Sequence, residues 1–320
     1  MREDNAYQTM LDTSVGPTDT IEKQNLEDEM NSSYRRALGE LLFAMVTYRP
    51  DISFLIIKLS TFANNPAKEH YMAIKQIFRY LCHTMEEGIT YWRTTASPNT
   101  QLSPSIPPKV FHQQNPEPSN TDTQSNMVGS VDSDCASDPK TRKSMIGIVM
   151  YLGGGAIHYK TKQQERVAWS STEAEFVAAC EAAKMAIHLR SILDEINISQ
   201  DHATLIYEDN SGALEMANAR QPTKRTKHME TKHFAIQDWV EEDLVVLEYI
   251  KSPNNSADTL TKPLARTAFY KHNDVIMGRI PPLYYKGTVR PTSVGTKDLN
   301  MLPVEHGGCC TRTYVEHRIT

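Results

Sequence analysis

Short apolar runs alternate with helical patterns between residues 127 and 275, and this alternation constrains the fold more than any other feature of the sequence. The runs SMIGIVMYL (144–152) and LIYED (205–209) are short and rich in β-branched and aromatic residues, which is typical of strands. The pattern over 172–196 instead repeats apolar residues at helical intervals. Three strands come first, and helices then alternate with strands. The order predicts an α/β domain with a mixed five-stranded sheet flanked by helices.

Three helical patterns precede this region, at 33–46, 51–63 and 66–84. The first residues of the chain are polar, acidic and without period, which indicates disorder. A later stretch contains six of the seventeen prolines, and this composition is typical of a linker. The sequence therefore predicts a disordered segment (1–30), a small helical module (31–95), a Pro/Ser-rich linker (96–126), the α/β domain (127–280) and a disordered tail (281–320).

Composition limits where the protein acts. The five cysteines show no CxxC spacing and are typical of reduced intracellular thiols, so we expect a location in the cytoplasm or the nucleus. No apolar run reaches the ~18 residues of a membrane span, so no membrane partner is expected. The net charge of −5 argues by itself against nucleic acid as a partner.

Although the net charge is negative, basic residues are concentrated in one part of the sequence. Lys224, Arg225, Lys227 and His228 lie in one short basic segment. Such a segment beside an acidic cleft suits a phosphodiester substrate, whereas a solvated charged loop explains it equally well.

Acidic residues occupy four places where a strand ends or a helix begins. In VDSD, Asp132 and Asp134 lie on the same strand face, and spacing does not choose between them. In SSTEAEF, Ser170 and Glu173 match a capping box, which gives Glu173 a structural role and leaves Glu175 without one. Helical geometry allows Glu175 to reach a cleft, but a solvated position on the flank of the helix is the alternative.

The other two acidic positions also have structural alternatives. Asp209 ends an apolar strand directly before a helix, where it either caps that helix or lines a ligand crevice. Asp258 falls in the first turn of the last predicted helix, where the helix dipole favours a negative charge, and Lys262 is a possible partner. Four carboxylates in one cleft would repel one another, and divalent cations with hard oxygen ligands are the usual solution.

A string of motifs carries a resemblance to a known family. SDPKTRKS, YLGGGAIHYKTKQQ, VAWSSTEAEF, YEDNSGALEMA, RTKHME and ADTLTKPL, in this order, resemble the RNase H domain that ends copia-type retrotransposon polyproteins. The match covers about residues 127–275. The helical patterns of 31–95 look like the thumb and connection region at the end of the preceding reverse transcriptase.

The resemblance implies an RNase H-like fold and a metal site. Carried over by position, the metal-binding carboxylates are Asp132, Glu175, Asp209 and Asp258, with Asp132 preferred to Asp134 because the family places its ligand at the first aspartate. They would hold two Mg²⁺ ions, with Mn²⁺ as a possible substitute. The basic segment becomes a contact to the nucleic-acid backbone.

Several departures stand out. Ser130–Val131 precede Asp132 where the family has Tyr-Ser, and Glu208 stands where the family often has a small residue. Many cellular RNases H carry a histidine in the loop before the last aspartate, whereas the loop before Asp258 has none. The polymerase palm and its Tyr-x-Asp-Asp motif are missing, so no polymerase activity is expected from this chain alone.

The resemblance predicts a ribonuclease H, a metal-dependent endonuclease that cleaves the RNA strand of RNA–DNA hybrids. The remainder of a reverse transcriptase is a further possible partner. The alternative is a catalytically inactive fragment of the polyprotein that acts as a binding or structural module. An integrase-type nuclease is a third hypothesis, which the lack of a His/Cys zinc cluster before the cleft disfavours.

Overall fold

A five-stranded sheet organises the part of the chain that the computed structural model describes, namely residues 11–14, 16–30, 33–91, 126–218 and 230–280. The order across the sheet is β3-β2-β1-β4-β5. β2 pairs antiparallel with β1 and β3, whereas β4 pairs parallel with β1 and β5. The predicted mixed five-stranded sheet is therefore confirmed. Its strands are β1 (Val128–Asp134), β2 (Met145–Leu152), β3 (Gly155–Gln163), β4 (Thr204–Glu208) and β5 (Val245–Tyr249).

Helices precede the sheet and flank it, as the sequence predicts. The two short 3₁₀ turns that matter for the site are Ser252–Asn254 and Ser256–Leu260. The α-helices are α1 (Thr20–Met30), α2 (Tyr34–Thr47), α3 (Ser53–Ser60), α4 (Lys68–His83), α5 (Ser171–Glu195), α6 (Ser211–Asn218), α7 (Glu230–Glu241) and α8 (Arg266–Ile276).

The central strand β1 contributes to two hydrophobic cores because its side chains alternate between the faces of the sheet. Val131 packs with Ile206 and the alanine-rich side of α5 in one core. Val128 packs with Leu260 and Ile276 in the other, under the last 3₁₀ turn and α8. Burial on both faces holds β1 rigidly, and rigidity is what a precisely spaced side-chain site requires.

The helical module has a core of its own, formed by the apolar faces of α2, α3 and α4. The structure differs here from the expected disorder of residues 1–30. Leu11 is 2% and Met30 5% exposed, and both belong to this core, so apolar burial orders the described part of that segment. Asp51 pairs with the buried Arg49 at 2.7 Å.

The module is in direct contact with the sheet. Tyr159 of β3 donates a hydrogen bond to the carbonyl oxygen of Met45 at 2.7 Å. The Thr90 amide donates to the carbonyl oxygen of Met277 at 2.8 Å. The segment around Thr90 therefore lies against the end of α8, and it belongs to no strand of the described sheet. The predicted linker (96–126, save its last residue) and the tail 281–320 lie outside the described residues, and the domain boundaries remain predictions.

Among the described residues, no helix combines the length and the apolar character needed to cross a membrane.

Candidate metal centre

Asp132 lies near the end of the central strand and is 1% exposed. Its neighbour across the antiparallel pair is Gly147. A Cβ at Gly147 would lie 2.7 Å from Cγ2 of Thr261 and 2.9 Å from the carbonyl oxygen of Ala257. The absence of a side chain there therefore lets the turn that carries Asp258 approach β1 closely. The Thr261 hydroxyl donates a short hydrogen bond to Oδ2 of Asp132.

Glu175 lies in the second turn of α5 and is 7% exposed. The N-terminus of that helix is capped as predicted, since Ser170 accepts a hydrogen bond from the Glu173 amide at 3.1 Å. The Glu173 carboxylate accepts one from the Trp169 amide at 3.0 Å. Glu173 is thus engaged in capping, whereas Oε2 of Glu175 is buried and has no hydrogen-bond partner among the described residues.

Asp209 follows β4 directly, at the same edge of the sheet. Its alternative role as a helix cap is filled by the next residue, because Oδ1 of Asn210 accepts the Ala213 amide at 3.0 Å. Asp209 is therefore not needed to start α6. Burial raises the pKa of its carboxyl, and the Ser252 side chain beside it partly opposes that rise.

Asp258 lies in the 3₁₀ turn Ser256–Leu260, not in the first turn of an α-helix as the sequence suggests. Asn255 fixes this turn to β1. Its side-chain amide donates to the carbonyl oxygen of Val131 at 2.8 Å, and its Oδ1 accepts from Ser130 at 2.6 Å. Asp258 is thereby held beside the central strand at 6% exposure.

Three of the four predicted ligands come together in space. Asp132, Glu175 and Asp209 each offer an oxygen, and these oxygens lie within 4.8 Å of one another. Asp134, which the spacing left open, is outside this group. All three donors are carboxylate oxygens, the ligands that Mg²⁺ and Mn²⁺ prefer. Because Oε2 of Glu175 is also buried without a partner, the residues fit a divalent cation.

Asp258 is linked to Asp132, a member of this group, by the ammonium of Lys262. Nζ of Lys262 lies 2.9 Å from Oδ1 of Asp258 and 3.5 Å from Oδ1 of Asp132. Burial by itself lowers the pKa of Lys262, but the charges of Asp132 and Asp258 raise it above its ordinary value. The lysine is therefore a fixed positive charge between these two carboxylates.

Glu208 adds a fifth carboxylate. It is fully buried at the end of β4, and its Oε1 accepts the Asn210 amide at 3.1 Å while its Oε2 has no partner. Burial raises its pKa well above the ordinary value. Burial, followed by the charge of Glu208, also raises the pKa of Glu175. The two groups thus oppose each other's ionisation in the absence of a cation.

Burial is also the main cause of the raised pKa values of the other acidic groups. It raises the pKa of Asp258 to about 8, with the charge of Asp132 as the second cause. It raises the pKa of Asp209, and it raises that of Asp134 to about 6. A cluster that resists ionisation when empty gains most from a bound cation.

The sequence reasoning missed two residues that build the centre. Asn255 and Thr261 position the site, and only the run of polar residues between β5 and α8 hinted at them. Glu208 was named only as a departure from the family pattern, and in the structure its charge acts on Glu175. The predicted nucleic-acid contacts Lys224, Arg225, Lys227 and His228 lie outside the described residues.

The fold and this centre define an α/β protein whose central strands present buried carboxylates suited to a divalent cation. No protein-family model matches the sequence. The chain is 31% identical over 259 residues to the retrovirus-related Pol polyprotein from transposon TNT 1-94 of Nicotiana tabacum, covering 81% of this chain and 17% of that protein. It is also 31% identical over 252 residues to that from transposon RE1 of Arabidopsis thaliana, covering 78% of this chain and 15% of that one.

Relatives that match about 80% of this chain at 29–31% identity are thus retrovirus-related Pol polyproteins from copia-type transposons. This chain spans less than a fifth of the length of the two named relatives. A shorter relative is the secreted RxLR effector protein 161 of Plasmopara viticola, 31% identical over 159 residues, which are 50% of this chain and 92% of that protein.

Similar solved structures include LC11-RNase H1, isolated from compost by a metagenomic approach. It has a TM-score of 0.34 and 17% identity, and the match covers 46% of this chain and 97% of that one. The native prototype foamy virus protease–reverse transcriptase has a TM-score of 0.32 and 15% identity, with 50% of this chain and 21% of that one covered.

Proposed function

We propose that this chain is a retrotransposon-derived ribonuclease H that cleaves the RNA strand of RNA–DNA hybrids with two divalent cations, Mg²⁺ or Mn²⁺. The observation that carries the proposal is the group of oxygens from Asp132, Glu175 and Asp209 within 4.8 Å of one another. The copia-type relatives support the nucleic-acid context. One of the similar solved structures, LC11-RNase H1, is itself described in complex with an RNA/DNA hybrid.

The residues of this chain would share the work as follows. Asp132, Glu175 and Asp209 hold one cation, and Asp132 and Asp258 face the other. When bound, the cations activate a water and stabilise the leaving oxygen of the phosphodiester. Asn255 and Thr261 fix the two aspartates, so that their oxygens need little rearrangement during the reaction.

Residues around the metal centre would select the substrate. Lys224, Arg225, Lys227 and His228 would contact phosphates of the hybrid, and the 2′-hydroxyl would distinguish RNA from DNA. Because this chain lacks a Tyr-x-Asp-Asp motif, we propose no polymerase activity for it, and the rest of a reverse transcriptase is a candidate partner. Action in the cytoplasm or the nucleus is part of the same proposal.

The test is cleavage of a labelled RNA–DNA hybrid by the purified chain with Mg²⁺ and with chelator. Asp132→Asn, Glu175→Gln, Asp209→Asn and Asp258→Asn should each lower the cleavage rate at least about 100-fold, because each removes charge from the centre. Metal-free stability should stay equal or rise in these variants, since mutual repulsion is relieved. Both readouts are needed to separate a catalytic loss from a folding loss.

Asp134→Asn and Glu173→Gln are the matched controls. Asp134 lies on the same strand outside the cluster, and Glu173 lies on the same helix in a capping role. Neither should lose cleavage, although Glu173→Gln is expected to lower stability by about 0.5–1 kcal/mol. A wild-type chain that binds the hybrid and never cleaves it would instead identify the chain as a binding module.

A further inference from the structure

The two sides of the carboxylate cluster differ in what already neutralises them. On one side, Asp132, Glu175 and Asp209 share a space with no cationic side chain in hydrogen-bond or ion-pair contact with Glu175, within the part of the chain that the structure describes. On the other side, the ammonium of Lys262 lies 2.9 Å from Asp258 and 3.5 Å from Asp132. The side with Glu175 and Asp209 can accept a cation, whereas the side with Asp258 already contains the ammonium of Lys262.

Hydrogen bonds of the neighbouring residue hold Lys262 in its position. Thr261, its immediate neighbour, bonds to both Oδ2 of Asp132 and the carbonyl oxygen of Asp258, at 3.1 Å in the second case. The residue next to Lys262 is therefore fixed to the carboxylate of Asp132 and to the main chain of Asp258. At the same time the Lys262 side chain is 31% exposed, so its flexible stem has a path to solvent.

An ammonium and a divalent cation cannot occupy the same pair of oxygens. The ammonium contributes a single charge, whereas Mg²⁺ contributes two and requires near-octahedral oxygen ligands. A divalent ion that binds between Asp132 and Asp258 must therefore displace Lys262 and break both of its ion pairs. Among the residues that the structure describes, Glu175 and Asp209 form no ion pair that a first ion would have to break.

We propose that Lys262 occupies the position of the second cation, so that the centre binds its two divalent ions with unequal affinity. The first ion binds at Asp132, Glu175 and Asp209, and the second binds only when Lys262 withdraws. Lys262 is thus a positioning residue that sets the divalent-ion concentration at which the centre is full. This inference rests on the proposed metal-dependent function.

The experiment is a titration of the chelator-treated full chain with MnCl₂. Calorimetry measures the heat of binding, and the paramagnetic resonance signal measures the concentration of free Mn²⁺. We expect one tight and one weaker ion in the wild type. Lys262→Met removes the competing charge and keeps most of the apolar stem, so the second ion should bind at least about tenfold tighter, as expected when a close charge pair is removed. The affinity for the first ion should change much less.

Two further variants complete the test. Lys262→Arg keeps the charge, and because a guanidinium binds two carboxylates in a fixed fork, the second ion should bind no tighter than in the wild type. Lys160→Met is the matched control, since Lys160 is 32% exposed and pairs with Glu181 at 3.7 Å, away from the cluster. It should leave both affinities near the wild-type values.

The outcomes separate this inference from the proposed function. If Lys262→Met binds the second ion no better than the wild type, Lys262 does not compete and the inference is overturned. If neither protein binds any divalent ion, the metal-dependent function falls as well. Should Lys262→Met fail to fold, Lys262→Arg decides alone: tighter binding of the second ion overturns the inference, and equal or weaker binding supports it.

Discussion

The phenol of Tyr159 donates a 2.7 Å hydrogen bond to the main chain of Met45, which joins the edge strand β3 to the end of α2. Arg279, just after α8, pairs with Glu87, just after α4. Contacts of this kind make the helical module and the sheet neighbours in packing, although the sequence places a proline-rich linker between them. The linker thus connects regions that touch, rather than holding them apart.

Limited proteolysis should show this contact. Cleavage within 96–126 is expected because that stretch is polar, proline-rich and without an apolar pattern. The two pieces should still elute together in gel filtration and separate only in denaturant. Elution of a free fragment that begins near 127 would mean that the contacts are too weak to matter.

The same interface has a mutational test. Tyr159→Phe removes the hydrogen bond to Met45 and should lower the free energy of unfolding by about 1 kcal/mol. Tyr249→Phe is the control, since Tyr249 is 57% exposed on β5 and should tolerate the loss of its hydroxyl. Equal effects from the two variants would show that the Tyr159 hydrogen bond contributes nothing specific.

Replacement of Lys224, Arg225 and Lys227 by Ala should weaken binding of an RNA–DNA hybrid and flatten its salt dependence. Each phosphate that a basic side chain neutralises releases counterions, so the slope of log affinity against log salt should fall by about 1 for each basic side chain removed from a phosphate. Fluorescence anisotropy at several salt concentrations measures both quantities.

The control removes the same charge from the helical module, by Ala at Arg36, Lys68 and Arg79, which are all exposed. This triple variant should bind more nearly like the wild type. If the two triple variants behave alike, the basic segment is an ordinary solvated loop.

Glu208→Gln should raise the metal-free stability by about 1 kcal/mol or more at alkaline pH, where ionisation of this buried carboxyl is most costly. The change removes a buried carboxylate whose Oε2 has no partner, and the amide oxygen can still accept the Asn210 amide. Chemical denaturation with chelator present measures the change. Glu215→Gln on the exposed side of α6 should have no effect, and a marked loss of stability in Glu208→Gln would contradict the destabilising role assigned to this residue.

Metal-free stability should fall as the pH rises from about 6.5 to about 8. Carboxylic acids of the unfolded chain titrate near pH 4, whereas the pKa of Asp258 is raised to about 8 and that of Glu175 is raised further. The folded state therefore holds more protons than the unfolded state in this range, and stability decreases with pH. His272, with its pKa lowered to about 4, acts in the opposite direction only below about 6.5.

Thermal unfolding with chelator at pH 6.5 and 8, repeated with excess Mg²⁺, measures this dependence. Mg²⁺ binds the ionised carboxylates, so its stabilising effect should be larger at the higher pH. Asp258→Asn should flatten the profile measured with chelator. A stability that rises between these two pH values would show that the acidic cluster does not control it.

Local sequence signals predicted the elements, because each depends on neighbours in the chain. The apolar runs around β2 and β4 and the capping pair Ser170–Glu173 all have a short-range physical cause. Strand alternation placed Asp132 and Asp134 on the same face of β1, but it could not decide which of the two is the ligand. The resemblance preferred Asp132, and the structure brings Asp132 to Glu175 and Asp209.

Long-range contacts were beyond such reasoning. Nothing near Asn255 indicates that its side chain will bond to Ser130 and Val131, and nothing near Glu208 indicates its proximity to Glu175. Lys262 was a possible partner of Asp258 because of the spacing of four, but its second contact, to Asp132, depends on the packing of a turn against β1. Such placements follow from the tertiary structure alone.

The parallel pairing of β1 with β4 also bears on the order of events in folding. β1, β2 and β3 follow one another in the chain and can associate through short connections, whereas Val128 meets Leu205 only after β2, β3 and α5 have been accommodated. We therefore expect Asp132 and Asp209 to be brought together late in folding, after the transition state. Mg²⁺ should then leave the refolding rate nearly unchanged and slow unfolding, which stopped-flow kinetics will measure. The ion would lengthen the lifetime of the finished fold without helping the chain to reach it.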